Sequence, residues 1–153
     1  MAEAKVKTEV TMKISATCPH HSRADVSVRD VETVVDEPTE RGGTNLGLTP
    51  TETMVAALIG CTNVITNKIV DSYDMKIDAM DVDVEAQFDR RGVTLQDDVQ
   101  VPFPSMTLNI NIKSPNSTDE FEKVKADLQK FCPVAKVIRE SGTTITENWN
   151  ISS

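Results

Sequence analysis

The stretch "TPTETMVAALIGCTN", residues 49 to 63, limits the fold more than any other part of this chain. Thr49 has the hydroxyl of a helix N-cap, Pro50 has the fixed φ that suits the first helical position, and Glu52 completes a capping box. The pattern predicts a helix from Pro50 to Tyr73. From Met54 to Ile65 nearly every residue is apolar or small, so the middle of this helix has no obvious wet face. Such a helix is expected to be buried on several sides. In a chain of 153 residues, that means a sheet on one flank and a second subunit on the other.

Around this helix the apolar residues recur with period two. From Val6 to Ala16 the apolar and threonine positions fall on even numbers, which predicts a strand, and "TCPHHS" then turns the chain. "ADVSVRDVETVV" reads as a second strand with a bulge near Asp30, pairing with the first as a hairpin. "DEPTERGGTNLGLTP" is a loop by composition. After the long helix come strands over Met80 to Phe88 and Met106 to Ile112, joined by the charged, exposed excursion "RRGVTLQDDVQVPFP".

Ser117 and Glu120 make a second capping box before Phe121, Val124, Leu128 and Phe131, the stripe of an amphipathic helix. Pro133 interrupts that helix and starts a short one reaching Glu140. Gly142 ends it, and Ile145, Trp149 and Ile151 mark one face of a last strand. The order is strand, strand, long helix, strand, strand, helix, helix, strand. This is an α+β layout, read as a single domain over residues 1–153.

Charge narrows the partners. The chain has 24 acidic against 16 basic side chains, a net charge of -8, and no Lys/Arg cluster longer than Arg90-Arg91. Nucleic acid and anionic membrane need a basic footprint, so neither is expected as a partner. The longest loosely apolar run, Met54 to Gly60, is seven residues, and no membrane-spanning segment is expected. "MAEAKVKTEV" has no apolar stretch of the secretory kind, which makes the cytoplasm the expected compartment. In a reducing cytoplasm three cysteines read as core residues, metal ligands or redox groups before structural disulfides.

Cys61, deep in the long helix, is either a small core residue or a nucleophile. Cys132 precedes Pro133, where the positive end of a new helix favours a thiolate, or where a cysteine simply fills a gap. The spacing leaves open whether the two sulfurs meet. Cys18, His20 and His21 cluster in "TCPHHS", but no second Cys/His group completes a zinc set, so no metal is expected and no cofactor either. Glu52 offers a carboxylate that the capping box already explains. It stands about 13 Å along the axis from Cys61, so service to that thiol requires a partner subunit's helix or an intermediary. Arg41, in the loop before the helix, is a candidate to stabilise a thiolate, and Arg23 and Arg29 compete for the role.

"GGTNLGLTPTETMVAALIGCT", "FPSMTLNINIKS" and "CPVAKVI" together resemble the OsmC/Ohr family, the osmotically inducible and organic hydroperoxide resistance proteins. The resemblance implies antiparallel sheets packed on long central helices in an intertwined homodimer. It also implies a thiol-peroxidase site in which Cys61 attacks an organic hydroperoxide and Cys132 resolves the sulfenic acid to a disulfide. A dithiol reductant, a lipoyl group in the best-known branch, then restores the pair.

An arginine and a glutamate help activate the first thiol in that family. The glutamate directly follows the helix proline in the peroxidase branches; here that position is Thr51, and Glu52 stands one further on, about 100° around the helix. The arginine lies near Arg41 in one branch and nearer Arg23 in another. The chain thus resembles the broader OsmC-like group more than either named branch. Its expected function is a thiol-dependent peroxidase, and the alternative is a non-enzymatic dimer holding a small molecule or sulfur species in an apolar interface pocket.

Overall fold

The computed structural model describes residues 7–153, which divide into two compact units, one ending at Thr53 and the other Met54–Ser153. The first contains a three-stranded antiparallel sheet in the order β1 (Ser15–His20), β2 (Arg23–Val28), β3 (Val31–Val35). Three sequence expectations change here. The expected strand start at Val6 lies outside the described residues, and residues 7–14 form no strand; Val10, Met12 and Ile14 keep the alternation but stay exposed. "TCPH" belongs to β1 and not to the turn, which is His21 and Ser22 alone. β1 is an edge strand, where the amide that Pro19 lacks is not needed by the ladder, and its register shifts between Thr17 and His20.

The slip near Asp30 is a hairpin and not a bulge. Val28 pairs with Val31, and Arg29 takes φ +56°, the positive value that two-residue hairpin turns require.

After β3 the buried Asp36 organises the loop that follows. Its carboxylate accepts from the amides of Glu37 (2.8 Å), Thr44 (3.1 Å) and Leu46 (3.2 Å), from Ser22 Oγ (3.3 Å) and from the Thr44 hydroxyl. The backbone is drawn in so tightly that a Cβ on Gly43 would lie 1.8 Å from the Glu37 carbonyl oxygen. The hydrogen bond from the Thr44 hydroxyl, with the amides, holds the Asp36 carboxyl well below the usual carboxylate range. Folding therefore favours the ionised form. The stability this gives is complete above the unfolded value of about 3.9 and is lost progressively as pH falls toward the folded value. Asp36→Asn is expected to lower the urea midpoint at pH 7 and to flatten its decline between about pH 5 and pH 2 relative to wild type.

Helix α1 runs over Pro50–Ser72. Beyond it, β4 (Ala79–Ala86) pairs antiparallel with β5 (Ser105–Lys113), which pairs parallel with β6 (Thr144–Ser152). This corrects the expectation of antiparallel sheets. Between β5 and β6 the chain crosses over through α2 (Thr118–Phe131) and α3 (Pro133–Glu140), the kind of connection a parallel pair needs. Alternation on β5 sends Met106, Leu108, Ile110 and Ile112 inward, where they meet Leu58, Ile69 and Val70 of α1, and Phe121, Val124 and Leu128 of α2. The capping box at Ser117 and Glu120 forms as expected.

The α2 stripe stops one step earlier than its spacing suggests. Phe131 is 61% exposed, because α2 ends there and the next side chain, Cys132, takes the last buried position. On α1 the buried residues Leu58, Thr62, Thr66, Ile69 and Val70 form a single stripe. The other flank, with Ala57, Gly60 and Val64, is exposed in the single chain, so burial on several sides is not met within one copy. At 23 residues, with an 18-residue window of mean hydropathy 1.4, α1 is also long and apolar enough to cross a membrane, which the seven-residue run understated. Leu58, Ile69 and Val70 are instead part of the protein's own core.

Candidate functional site

Cys61 projects from α1 among residues packed on the core, and Cys132 is the hinge between α2 and α3. The Cys132 amide donates to the Leu128 carbonyl at 3.0 Å, closing α2, and its carbonyl accepts from the Lys136 amide at 3.0 Å, opening α3. Pro133 suits the first position of α3, where an amide would have no helical partner. One residue thus ends one helix and begins the next, and its backbone has little freedom to turn the thiol elsewhere.

The Cys132 thiol donates to Cys61 Sγ at 3.1 Å. Cys132 is fully buried, Cys61 is half-buried, and neither is in a disulfide. Burial pushes the Cys132 thiol up to about 11; the amides of Ala135 and Val134 pull it down, and Cys61 raises it again. Of the two readings the sequence leaves open at Cys132, this favours the buried gap-filling thiol over the thiolate. Helix amides do act on the sulfur, but desolvation outweighs them. At neutral pH Cys132 keeps its proton and directs it at Cys61 Sγ, the more accessible of the two sulfurs. A disulfide needs about 2.05 Å, and the two sulfurs would have to close by about 1 Å to form one.

The other candidates hold partners in their own segments. Arg41 ends the short turn Thr39–Arg41 and pairs through Nε with Glu37 at 2.6 Å, largely exposed. Glu52 Oε2 accepts from the Thr49 amide at 2.8 Å, and the Glu52 amide donates to Thr49 Oγ1 at 3.2 Å, the reciprocal capping box. Thr51 Oγ1 lies 3.2 Å from Thr49 Oγ1. Arg23 is bound to Asp25 at 2.6 Å, and Arg29 sits at the hairpin tip. Cys18 is exposed, His20 Nδ1 meets Ser22 Oγ at 2.9 Å, and no metal-ligating group of three or more side chains gathers among the described residues.

A family model described as OsmC-like protein matches residues 43–148. No curated protein matches the sequence. Among solved structures the chain is similar to an OsmC-like protein from Mycoplasma pneumoniae, with a TM-score of 0.80 and 17% identity over 95% of this chain and 100% of that one. It is similar to an organic hydroperoxide resistance protein OsmC from Legionella pneumophila, with a TM-score of 0.65 and 15% identity over 96% and 100%. It is also similar to the organic hydroperoxide resistance protein OhrB of Bacillus subtilis, with a TM-score of 0.59 and 16% identity over 94% and 98%. At these identities the likeness is one of fold.

Proposed function

This chain belongs to the OsmC-like protein family, and from that premise we propose that it is a thiol-dependent peroxidase reducing organic hydroperoxides through Cys61 and Cys132. The observation that carries the reading is the 3.1 Å contact between one half-buried and one fully buried thiol. The names of the Legionella and Bacillus neighbours support the substrate class.

In the proposed cycle the Cys61 thiolate attacks the terminal oxygen of R–O–O–H, the O–O bond breaks, and the alkoxide leaves as ROH after taking a proton. Cys61 becomes a sulfenic acid. Cys132 then attacks that sulfur, the S–S bond forms, and the hydroxyl leaves with the Cys132 proton as water. Two thiols have supplied two electrons, and a dithiol reductant returns them by exchange. The protonated state of Cys132 fits the second role, since a resolving thiol need not be ionised until the sulfenic acid has formed.

In this reading a second copy packs on the exposed flank of α1, giving a homodimer that works in a reducing cytoplasm. Arg41 and Glu52 enter only as supporting groups, since each has first to release the partner it now holds, Glu37 or Thr49. One observation favours the alternative of a non-enzymatic ligand-holding dimer: at Thr51, where the family's peroxidases have a glutamate, there is a hydroxyl bonded to Thr49.

Cys132→Ser separates the readings. With cumene hydroperoxide it should accumulate a dimedone-reactive sulfenic acid on Cys61, while dithiol-supported turnover falls roughly tenfold or more. Mass spectrometry of the adduct checks the first and peroxide consumption the second. No adduct, with peroxide loss no greater than in buffer, favours the ligand-holding dimer.

A further inference from the structure

Strand β6 turns Ile145, Glu147, Trp149 and Ile151 toward the core, so a carboxylate stands in an otherwise apolar row. The Glu147 side chain is only 8% exposed. Its Oε1 accepts from Arg139 Nη2 at 2.8 Å, and its Oε2 accepts from Trp149 Nε1 at 3.1 Å. Both oxygens are therefore bonded, one to α3 and one to β6 itself.

Glu147 is nearly dry while Arg139 keeps 27% of its side-chain surface exposed, so the attraction of the pair is roughly offset by desolvation and screening, and two apolar residues would hold α3 to the sheet about as firmly. What the pair adds is direction. Apolar contact is non-directional, whereas the single N–H···O bond from Arg139 Nη2 needs Glu147 Oε1 at one distance and angle, and Trp149 holds that carboxylate by its other oxygen. Arg139 lies in the last turn of α3, and Cys132 caps the first. The helix is eight residues, about 12 Å, and moves as one body. Where Arg139 is held, the Cys132 sulfur is held too.

We propose that Glu147 and Arg139 are positioning residues for the thiol pair: their contact fixes the seat of α3 on β6 and with it the gap between the sulfurs of Cys132 and Cys61. The inference rests on the peroxidase reading for the identity of the oxidant alone. The step they govern is closure, in which Cys61–S–OH and Cys132–SH give the disulfide and water.

The test uses the full chain as wild type, Glu147→Gln and Arg139→Lys, the last keeping a cation but losing the guanidinium that donates to Oε1. Three quantities are read for each: the rate of Cys61 oxidation by cumene hydroperoxide, the rate of closure, and the disulfide fraction in dithiothreitol redox buffer. Closure in Glu147→Gln is expected to slow by about tenfold to 100-fold, with Cys61 oxidation unchanged and the disulfide less populated in the buffer. Arg139→Lys should fall between Glu147→Gln and wild type, and it carries the test if Glu147→Gln does not fold. A purely structural role would lower thermal stability and leave all three readings alone; folded variants that close as fast as wild type overturn the proposal. Diamide, which takes two electrons from two thiols without a peroxide, separates the two claims. If wild type ignores hydroperoxide but closes with diamide and the variants lag, the peroxidase reading falls and the positioning role stands. If diamide forms no Cys61–Cys132 disulfide in wild type, the positioning role falls as well.

Discussion

Cys61→Ser is expected to abolish hydroperoxide consumption, a loss of roughly 10³-fold or more, while leaving the chain folded. A serine hydroxyl is close in size to a thiol, so the half-buried site on α1 loses little packing. Its oxygen is essentially never ionised at neutral pH and forms no sulfenic acid equivalent, so neither the first electron pair nor the intermediate exists. Cys132 cannot substitute, because burial pushes its thiol up to about 11 and almost none of it is thiolate at pH 7. Cys18→Ser is the matched control: that thiol is exposed on β1, and its loss should leave peroxide consumption at the wild-type rate. Steady-state consumption of cumene hydroperoxide with a dithiol donor measures both. Residual turnover in Cys61→Ser comparable to wild type would place the chemistry elsewhere.

Phe121→Ala is expected to cost about 3–5 kcal/mol of stability, the largest single loss from the core. Phe121 is completely buried in the first turn of α2, within the same cluster as Leu58, Leu108 and Ile110. Truncation removes its ring and leaves a cavity that α2, capped at Ser117 and tied at its other end by Cys132, is poorly placed to fill. Phe131→Ala makes the comparison sharp. It belongs to the same sequence stripe but lies exposed, and its replacement should stay within about 0.5 kcal/mol. Urea midpoints of the two variants decide: equal losses would mean that α2 does not bury the stripe as described.

What could be read from the sequence was mostly local. Both capping boxes, Thr49 with Glu52 and Ser117 with Glu120, are written within four residues and formed as written. The strand over Met106 to Ile112 was plain because one face of it is buried, and alternation records that directly. The hairpin at Arg29-Asp30 was missed because its turn carries none of the Asn-Gly or Asp-Gly signals that mark such tips. Parallel pairing of β5 with β6 joins strands thirty residues apart, and no local pattern encodes it.

The site shows the same division. Each cysteine could be picked out by its neighbours, but their 3.1 Å separation depends on how α1 meets the joint of α2 and α3. The sequence leaves the charge state of Cys132 open for a related reason: helix amides are a local feature, and the burial that outweighs them is tertiary. Glu147 carries its signal in the sequence. It shares the phase of Ile145, Trp149 and Ile151, and a carboxylate in an inward register asks for a partner, which Arg139 supplies.

The account turns on whether the two thiols act as one redox unit. The most direct measurement is a thiol count with peptide mapping on reduced protein treated with a small excess of cumene hydroperoxide. The account predicts that Cys61 and Cys132 are lost together and recovered as one cross-linked peptide, with Cys18 still free. Thiol loss no greater than in Cys61→Ser, or loss confined to Cys18, would contradict it.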